Sequence, residues 1–255
     1  MDSVIYNDDC FNVFKTLPKR CVDLVLVDLP YESTTLKWDK CIDLDLMWKY
    51  LRKILKHNGQ ALFFTTTKLG AKIINANPAW FCYDLVWEKN KSTGHLFSKR
   101  AVLRKHEMIY LFHPKGKPRG EKLTFNPQMT AGEPYSNGII PNNNTQVYTT
   151  KKAVIHENLT GERYPHSIVK IGNSANNRGK LHATQKPVEL CEWLIKTYSN
   201  EGDMVMDFTM GSGSTIIACL KTKRKYIGID MDKDIFLTAQ ERIQREIIEN
   251  NITLI

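Results

Sequence analysis

The sequence predicts an α/β fold, doubly wound around a mostly parallel sheet, with one loop-rich insert. Three observations predict it. An apolar strand-like run ends in an acid at residue 28; residues 203–232 read as strand, glycine turn, helix and strand; and between them the periodicity gives way, over 114–180, to Gly, Pro and Asn. The two flanking stretches, 1–113 and 181–255, are then expected to be halves of one α/β domain, and 255 residues at 42% hydrophobic content are enough for one substantial core.

In VDLVLVDLPYES, residues 22–33, Val22, Leu24, Val25, Leu26 and Val27 form a near-continuous apolar run, the pattern of a strand covered on both faces. Asp28 closes it at the carboxyl end. That edge of an open α/β sheet is where ligands bind, so the carboxylate is either a working group or the cap of the next element. Residues 43–59, DLDLMWKYLRKILKHNG, place Leu46, Met47, Tyr50, Leu51, Ile54 and Leu55 at helical spacing, with Gly59 as the expected stop. QALFFTT (60–66) reads as a strand and residues 68–75 as a short helix. FCYDLVWEK (81–89) and HEMIYLFH (106–113) are two more strands, all in βαβ order.

The insert carries ten Lys and Arg against four Glu, so most of the chain's net charge of +9 falls there. Such a balance suits a surface that reads a polyanion; a solvated linker is the alternative. Other classes are excluded. No apolar run approaches the ~18 residues of a membrane span, no basic-then-apolar signal opens the chain, and the six cysteines form no CxxC pair suited to zinc. Reduced thiols in a cytoplasmic setting are the expectation, with no metal implied. His57, His95, His113 and His156 read as surface histidines, and His106 with Glu107, at the start of a strand, as structural.

KPVELCEWLIKTYS (186–199) is the next helix, with Pro187 in its first turn. In DMVMDFTMGSGSTIIACLKTKRKYIGIDMD (203–232), Gly211 and Gly213 make the turn and Asp230 closes the following strand 19 residues after Gly211, where it suits ribose hydroxyls. This is a Rossmann-like half-site with one departure: a dinucleotide fingerprint wants a third glycine where Ile216 stands. Asp207, just before the turn, would repel a pyrophosphate but suit a cationic ligand such as S-adenosylmethionine; capping the turn is its other reading. The C-terminal segment puts Ile235, Ala239, Ile243 and Ile247 on one face of a docked helix capped by Asp232.

DLPY (28–31) followed by GSGST (211–215) resembles the amino-methyltransferases of DNA, in the subgroup whose catalytic motif precedes the cofactor motif. YNDDCFNVFKTLP (6–18), RKHEMIYLF (104–112), RYPHSIVKI (163–171) and HATQKPVEL (182–190) extend the resemblance, in the family's order, over nearly the whole chain. The resemblance implies a Rossmann-like methyltransferase fold with a target-recognition insert. It implies S-adenosylmethionine as cofactor, duplex DNA as substrate, and direct methyl transfer to the N6 amine of a flipped-out adenine, since an acid opens the tetrapeptide. It also implies a bacterial or phage-encoded protein working at the nucleoid, with a second copy of the chain and a cognate restriction endonuclease as candidate partners. Its alternatives are cytosine N4 as target, or a nucleic-acid-binding module with a vestigial cofactor site.

The roles carry over position by position. Asp28 and the Leu29 carbonyl would accept the amine's N–H groups, Pro30 stiffen the loop and Tyr31 stack on the base. The cofactor would be held by Asp9, Cys10, Asp28, Lys186, Asp207, Phe208, Gly211, Gly213, Ser214, Thr215 and Asp230, and DNA by Lys115, Lys117, Arg119, Lys151 and Lys152 of the insert. Leu29 replaces the family's usual proline, and Thr209 its usual aromatic, whose space the adjacent Phe208 would fill. Apart from the resemblance, Trp38 and Asp39, soon after the catalytic loop, are candidates for pinning that loop, with plain packing as the equal alternative. No Pro-Cys dipeptide is present, in keeping with attack by nitrogen rather than by carbon 5 of cytosine.

Overall fold

A computed structural model describes residues 1–30, 42–115, 122–140, 154–172 and 185–252. The chain divides into two compact units, Met1–Asn126 with Ser167–Ile255, and Pro127–His166. The first unit begins β1 (Val4–Asn7), α1 (Cys10–Thr16), β2 (Val22–Asp28), α2 (Leu44–Ile54), β3 (Leu55–Thr65), α3 (Thr67–Ala76), β4 (Phe81–Thr93) and β5 (Arg104–Phe112). The second unit, which lies inside the expected insert, pairs β6 (Tyr135–Ile140) antiparallel with β7 (Val154–Asn158), and an isolated bridge joins Thr130 to Arg163. The first unit then resumes with β8 (Ile168–Lys170), α4 (Val188–Tyr198), β9 (Met204–Asp207), α5 (Ser214–Lys221), β10 (Lys225–Asp230) and α6 (Lys233–Glu249).

One eight-stranded sheet of order β1-β10-β9-β2-β3-β5-β4-β8 organises the first unit. All its pairings are parallel except those of β5, which runs antiparallel to both β3 and β4. The doubly wound expectation holds, but the βαβ repeat is interrupted where β4 reaches past β5. The near-continuous apolar run of β2 has its reason in the two cores. Val25 and Val27 face Phe14, Met47, Trp48 and Leu51 of α1 and α2, whereas Leu24 and Leu26 face Leu190, Leu194 and Ile216 of α4 and α5.

The expectation for Gly59 is corrected. Helix α2 stops at Ile54, and Leu55 already has extended backbone, so Gly59 lies inside β3. The register jumps there, from Val22 opposite Leu55 to Leu24 opposite Gln60, and the extra residues bulge. A Cβ on Gly59 would lie 3.0 Å from the Asp23 carbonyl oxygen, so glycine serves the close approach of backbones rather than a helix end. Pro187 precedes α4 as its N-cap, one position outside the first turn. Among the described residues no helix is long and apolar enough to cross a membrane.

Another glycine is required by packing next to the cofactor-type turn. A Cβ on Gly228 of β10 would sit 2.6 Å from Met210 Sδ and 3.0 Å from both Ile216 Cδ1 and Ile5 Cγ2. Gly228→Ala is therefore expected to lower the unfolding free energy by about 1–3 kcal/mol, because two branched side chains must move as well as the thioether. Urea unfolding checks this, and a variant of unchanged stability would show that the packing is looser than the distances imply.

Candidate active site

Strands β2 and β9 are parallel neighbours, yet the helix after β2 leads away to β3 and the helix after β9 leads the opposite way to β10. Where strand order reverses in this manner, the following loops diverge and leave a crevice at the carboxyl ends. Asp28 ends β2, Asp207 ends β9, Asp230 ends β10 and Asn7 ends β1, so the sheet presents three acids along one edge. Asn7 Nδ2 donates to the Asp230 carbonyl at 2.9 Å and closes the outer end of this row.

The turn after β9 is fixed by its main-chain N–H groups, which donate to two main-chain carbonyls and to two of the edge carboxylates. The Thr209 N–H donates to Asp207 Oδ1 (3.1 Å), that of Met210 to the Ile229 carbonyl (3.0 Å), that of Gly211 to Asp230 Oδ2 (2.9 Å) and that of Gly213 to the Met210 carbonyl (2.8 Å). Gly211 and Gly213 have φ of +50° and +79°, left-handed values that tax any residue with a Cβ. A Cβ on Gly211 would meet nothing within 4 Å, which leaves room for a ligand against the backbone. Arg242 of α6 clamps the turn from outside, its Nη1 donating to the Ser212 carbonyl at 2.9 Å.

Asp207 is buried at the floor of this turn. Burial is the main cause that pushes its pKa up to about 7; the Thr215 hydroxyl and the Thr209 N–H pull the other way, and Asp28 and Asp230 add to the rise. A carboxylate so placed is incomplete until a positive group joins it, and that fits the cationic cofactor expected from the sequence. Asp230 accepts from Gly211 with one oxygen and from the Asp232 N–H with the other (2.9 Å), so it shapes the turn and keeps acceptor capacity for hydroxyls. Ser214 and Thr215 open α5 and are buried.

The remaining cofactor candidates divide. Asp9 caps α1, its Oδ1 accepting from the Phe11 N–H at 2.8 Å, and Cys10 is the first residue of that helix. Burial, with Asp9 adding to it, pushes the Cys10 thiol up to about 12, which rules out a thiolate role near neutral pH. The Phe208 ring packs edge-on against Phe14 at 5.3 Å, inside the core under α1, so the space left by Thr209 is not filled by that ring.

Thr209 instead does something an aromatic residue could not. Its hydroxyl donates to the Asp28 carbonyl at 3.2 Å and ties the turn to the end of β2. Leu29 sends its side chain into the core and Pro30 is half-buried. On the Asp28 side chain converges a network that sequence reasoning missed. Lys186 Nζ pairs with Asp28 Oδ2 and stands 3.3 Å from Glu107 Oε2, over the Phe64 ring at 5.3 Å; Lys89 Nζ is 3.0 Å from Glu107 Oε1. Burial works against the Lys186 ammonium, but Asp28 first and then Glu107 more than offset it, so its pKa stands above the ordinary lysine value. Glu107 is half-buried, and Lys186 and Lys89 overcome the cost of that burial and hold its carboxyl below the usual range.

Glu107 carries no signal in the linear sequence, because its partner is set by strand register. It pairs with Trp87 on the β4–β5 hairpin, two residues short of Lys89, and an acid and a lysine so placed on neighbouring strands can reach each other. Arg242 gave no signal beyond its place on the last helix. Lys115 is exposed just after β5; Tyr31, Trp38, Asp39, Lys117, Arg119, Lys151 and Lys152 lie outside the described residues.

A DNA methylase family model matches residues 22–241. The type II methyltransferase M.HpaI of Haemophilus parainfluenzae is 26% identical, over 96% of this chain and 76% of that protein, and M1.MboII of Moraxella bovis is 27% identical, over 90% and 92%. Among solved structures, the M1.HpyAVI–SAM complex superposes with a TM-score of 0.64 at 23% identity, covering 94% of this chain and 98% of that one. The PvuII DNA methyltransferase (cytosine-N4-specific) gives 0.66 at 14% identity, covering 96% and 91%. At these identities both structures attest the fold.

The raised pKa of Asp207 has a sign that can be tested. The unfolded acid ionises near 4 and the folded one near 7, so the folded state binds the extra proton between those values and loses stability as pH rises through them. Asp207→Asn removes this cost. Without cofactor it should raise the unfolding free energy more at pH 8 than at pH 5, measured by urea unfolding; an equal effect at both would remove the case for a strained buried acid.

Proposed function

Because the chain belongs to the DNA methylase family, we propose that it transfers a methyl group from S-adenosylmethionine to the N6 amine of adenine in duplex DNA, after flipping the base out of the stack. The observation that carries this reading is the meeting of Asp28 and Asp207 at the reversal point of the sheet, one placed for an amine and the other for a cation. Bound S-adenosylmethionine supplies a methyl group on positively charged sulfur, which an amine can take directly. Asp207 would hold its positive end, Gly211 would give it room, Asp230 would accept from its ribose hydroxyls, and Asp9 would meet its adenine, as the family resemblance implies.

The chain's own residues act on the acceptor. An exocyclic amine is a poor nucleophile because its lone pair is delocalised into the ring. Hydrogen bonds from its two N–H groups to Asp28 and to the Leu29 carbonyl favour the tetrahedral nitrogen of the transition state. Lys186 takes Oδ2 of Asp28, which orients the carboxylate so that Oδ1 serves the amine and then the proton that the methylated nitrogen sheds. Taking the base out of the duplex costs a few kcal/mol, which Tyr31 would partly offset by stacking. The adenine assignment rests on Asp28 opening the tetrapeptide, where the family resemblance associates serine with cytosine N4.

Incubation with S-adenosylmethionine and bulk unmethylated DNA, digestion to nucleosides and identification by mass test the reading. N6-methyl-2′-deoxyadenosine is expected; methyl on cytosine N4 would replace the target, and no transfer would favour a vestigial site. Asp28→Ala should cut kcat by several orders of magnitude yet leave the cofactor Kd, measured by calorimetry, within a few-fold, since the lost acceptor acts on the transition state. Glu107→Gln should lower kcat about tenfold or more at nearly unchanged cofactor Kd, with partial recovery in Glu107→Asp. Equal losses in Glu107→Asp and Glu107→Gln would reduce Glu107 to a packing role.

A further inference from the structure

The β4–β5 hairpin continues well beyond the site, and its tip has a composition that folding does not explain. Asp28 is level with Phe64, Phe64 with Ile109, and Ile109 with Leu85, and β4 runs parallel to β2 because two antiparallel pairings separate it from β3. From Leu85 the strand runs to Thr93, which a bulge after Glu88 brings opposite Arg104; the five-residue rise of β5 from Ile109 to Arg104 carries this end about 17 Å past the level of Asp28 on the carboxyl edge of the sheet. The tip between Thr93 and Arg104 is an ordered turn. A 3-10 segment, His95–Phe97, follows Gly94 (φ +91°), and the N–H groups of Phe97, Arg100 and Ala101 are all satisfied within the tip. Its side chains point outward: Leu96 is 96% exposed, Phe97 62% and Val102 97%. From Lys89 to Lys105 the chain has six Lys and Arg and no acid. Lys89 and Lys105 pair with Glu107 and Glu88, while Lys91, Lys99, Arg100 and Arg104 are exposed.

We infer that this hairpin is a DNA-gripping arm, with Lys91, Lys99, Arg100 and Arg104 set on backbone phosphates and Leu96, Phe97 and Val102 packed against the bases beside the target. The inference rests on the proposed action on duplex DNA and adds a surface separate from the insert. Charge complementarity selects the occupant: a second copy of this basic tip would repel it, whereas a duplex presents about one negative charge per 1.7 Å of its axis. A two-stranded ribbon has the width of the major groove, and exposed apolar side chains on a basic element suit a base stack loosened by flipping.

Two multiple variants separate the contributions, with anisotropy of a fluorescent 30-base-pair duplex read across a salt series. Replacing Lys91, Lys99, Arg100 and Arg104 by Gln should weaken binding at least tenfold and flatten the log Kd against log salt slope by about 3.6, at 0.9 per phosphate contact. Replacing Leu96, Phe97 and Val102 by Ser should leave that slope intact and lower kcat/KM on bulk duplex DNA at least fivefold. Unchanged slope in the first variant overturns the arm. Unchanged kcat/KM in the second, or a changed sedimentation coefficient of the DNA-free protein, overturns the base contact, the latter in favour of a second copy. If the wild-type protein binds DNA through the arm but methylates none, the enzymatic reading fails and the arm stands; cofactor binding by both variants confirms their folding.

Discussion

The buried ammonium of Lys186 decides where the Asp28 carboxylate can be. A lysine removed from water is costly unless opposite charge surrounds it, and here it is met by Asp28 from the end of β2 and Glu107 from β5. These residues stand 79 and 158 positions along the chain from Asp28, so the network joins the first half of the domain to the approach of α4 only when the sheet has its full strand order. Lys89 brings the network to two cations and two anions. Such a cluster adds little net stability. What it supplies is specificity, because every misplaced arrangement would strand a charge in the interior.

Across the reversal point the logic is inverted. Asp207 is as buried as Lys186, but the charges acting on it are the other two acids of the edge, and its own neighbours are neutral donors. One half of the crevice is electrostatically balanced by the chain itself, and the other holds a buried acid that a positive ligand would complement. The two halves touch through Thr209, which reaches from the glycine turn to the Asp28 carbonyl. An aromatic residue there would pack but would not form that link, so the substitution changes how the turn and the loop after β2 are coupled.

What was legible in the sequence was whatever depends on local periodicity or on turn chemistry. The double-faced burial of β2 shows as unbroken apolar residues, and the left-handed turn shows as Gly211 and Gly213. Gly59 misled because a glycine after a helical pattern reads as a stop, whereas its true constraint is a backbone 36 residues earlier at Asp23. Glu107 reads as structural in the sequence because its partners come from elsewhere: Lys89 across a hairpin and Lys186 across the insert. Phe208 reads as a cofactor residue from its neighbours in sequence, whereas its ring packs against Phe14 in the core on the side away from Asp207. Partners fixed by non-local register are invisible to a linear reading.

Lys186 and Asp28 act as a unit, and a double-mutant cycle of Asp28→Asn and Lys186→Met measures that coupling while leaving the Lys89–Glu107 pair in place. By urea unfolding, Lys186→Met alone should cost on the order of 3 kcal/mol, and the double variant should be more stable than the sum of the single losses by at least about 1 kcal/mol. Strictly additive losses would contradict the account, since they would mean that the ammonium and the carboxylate stand side by side without holding each other.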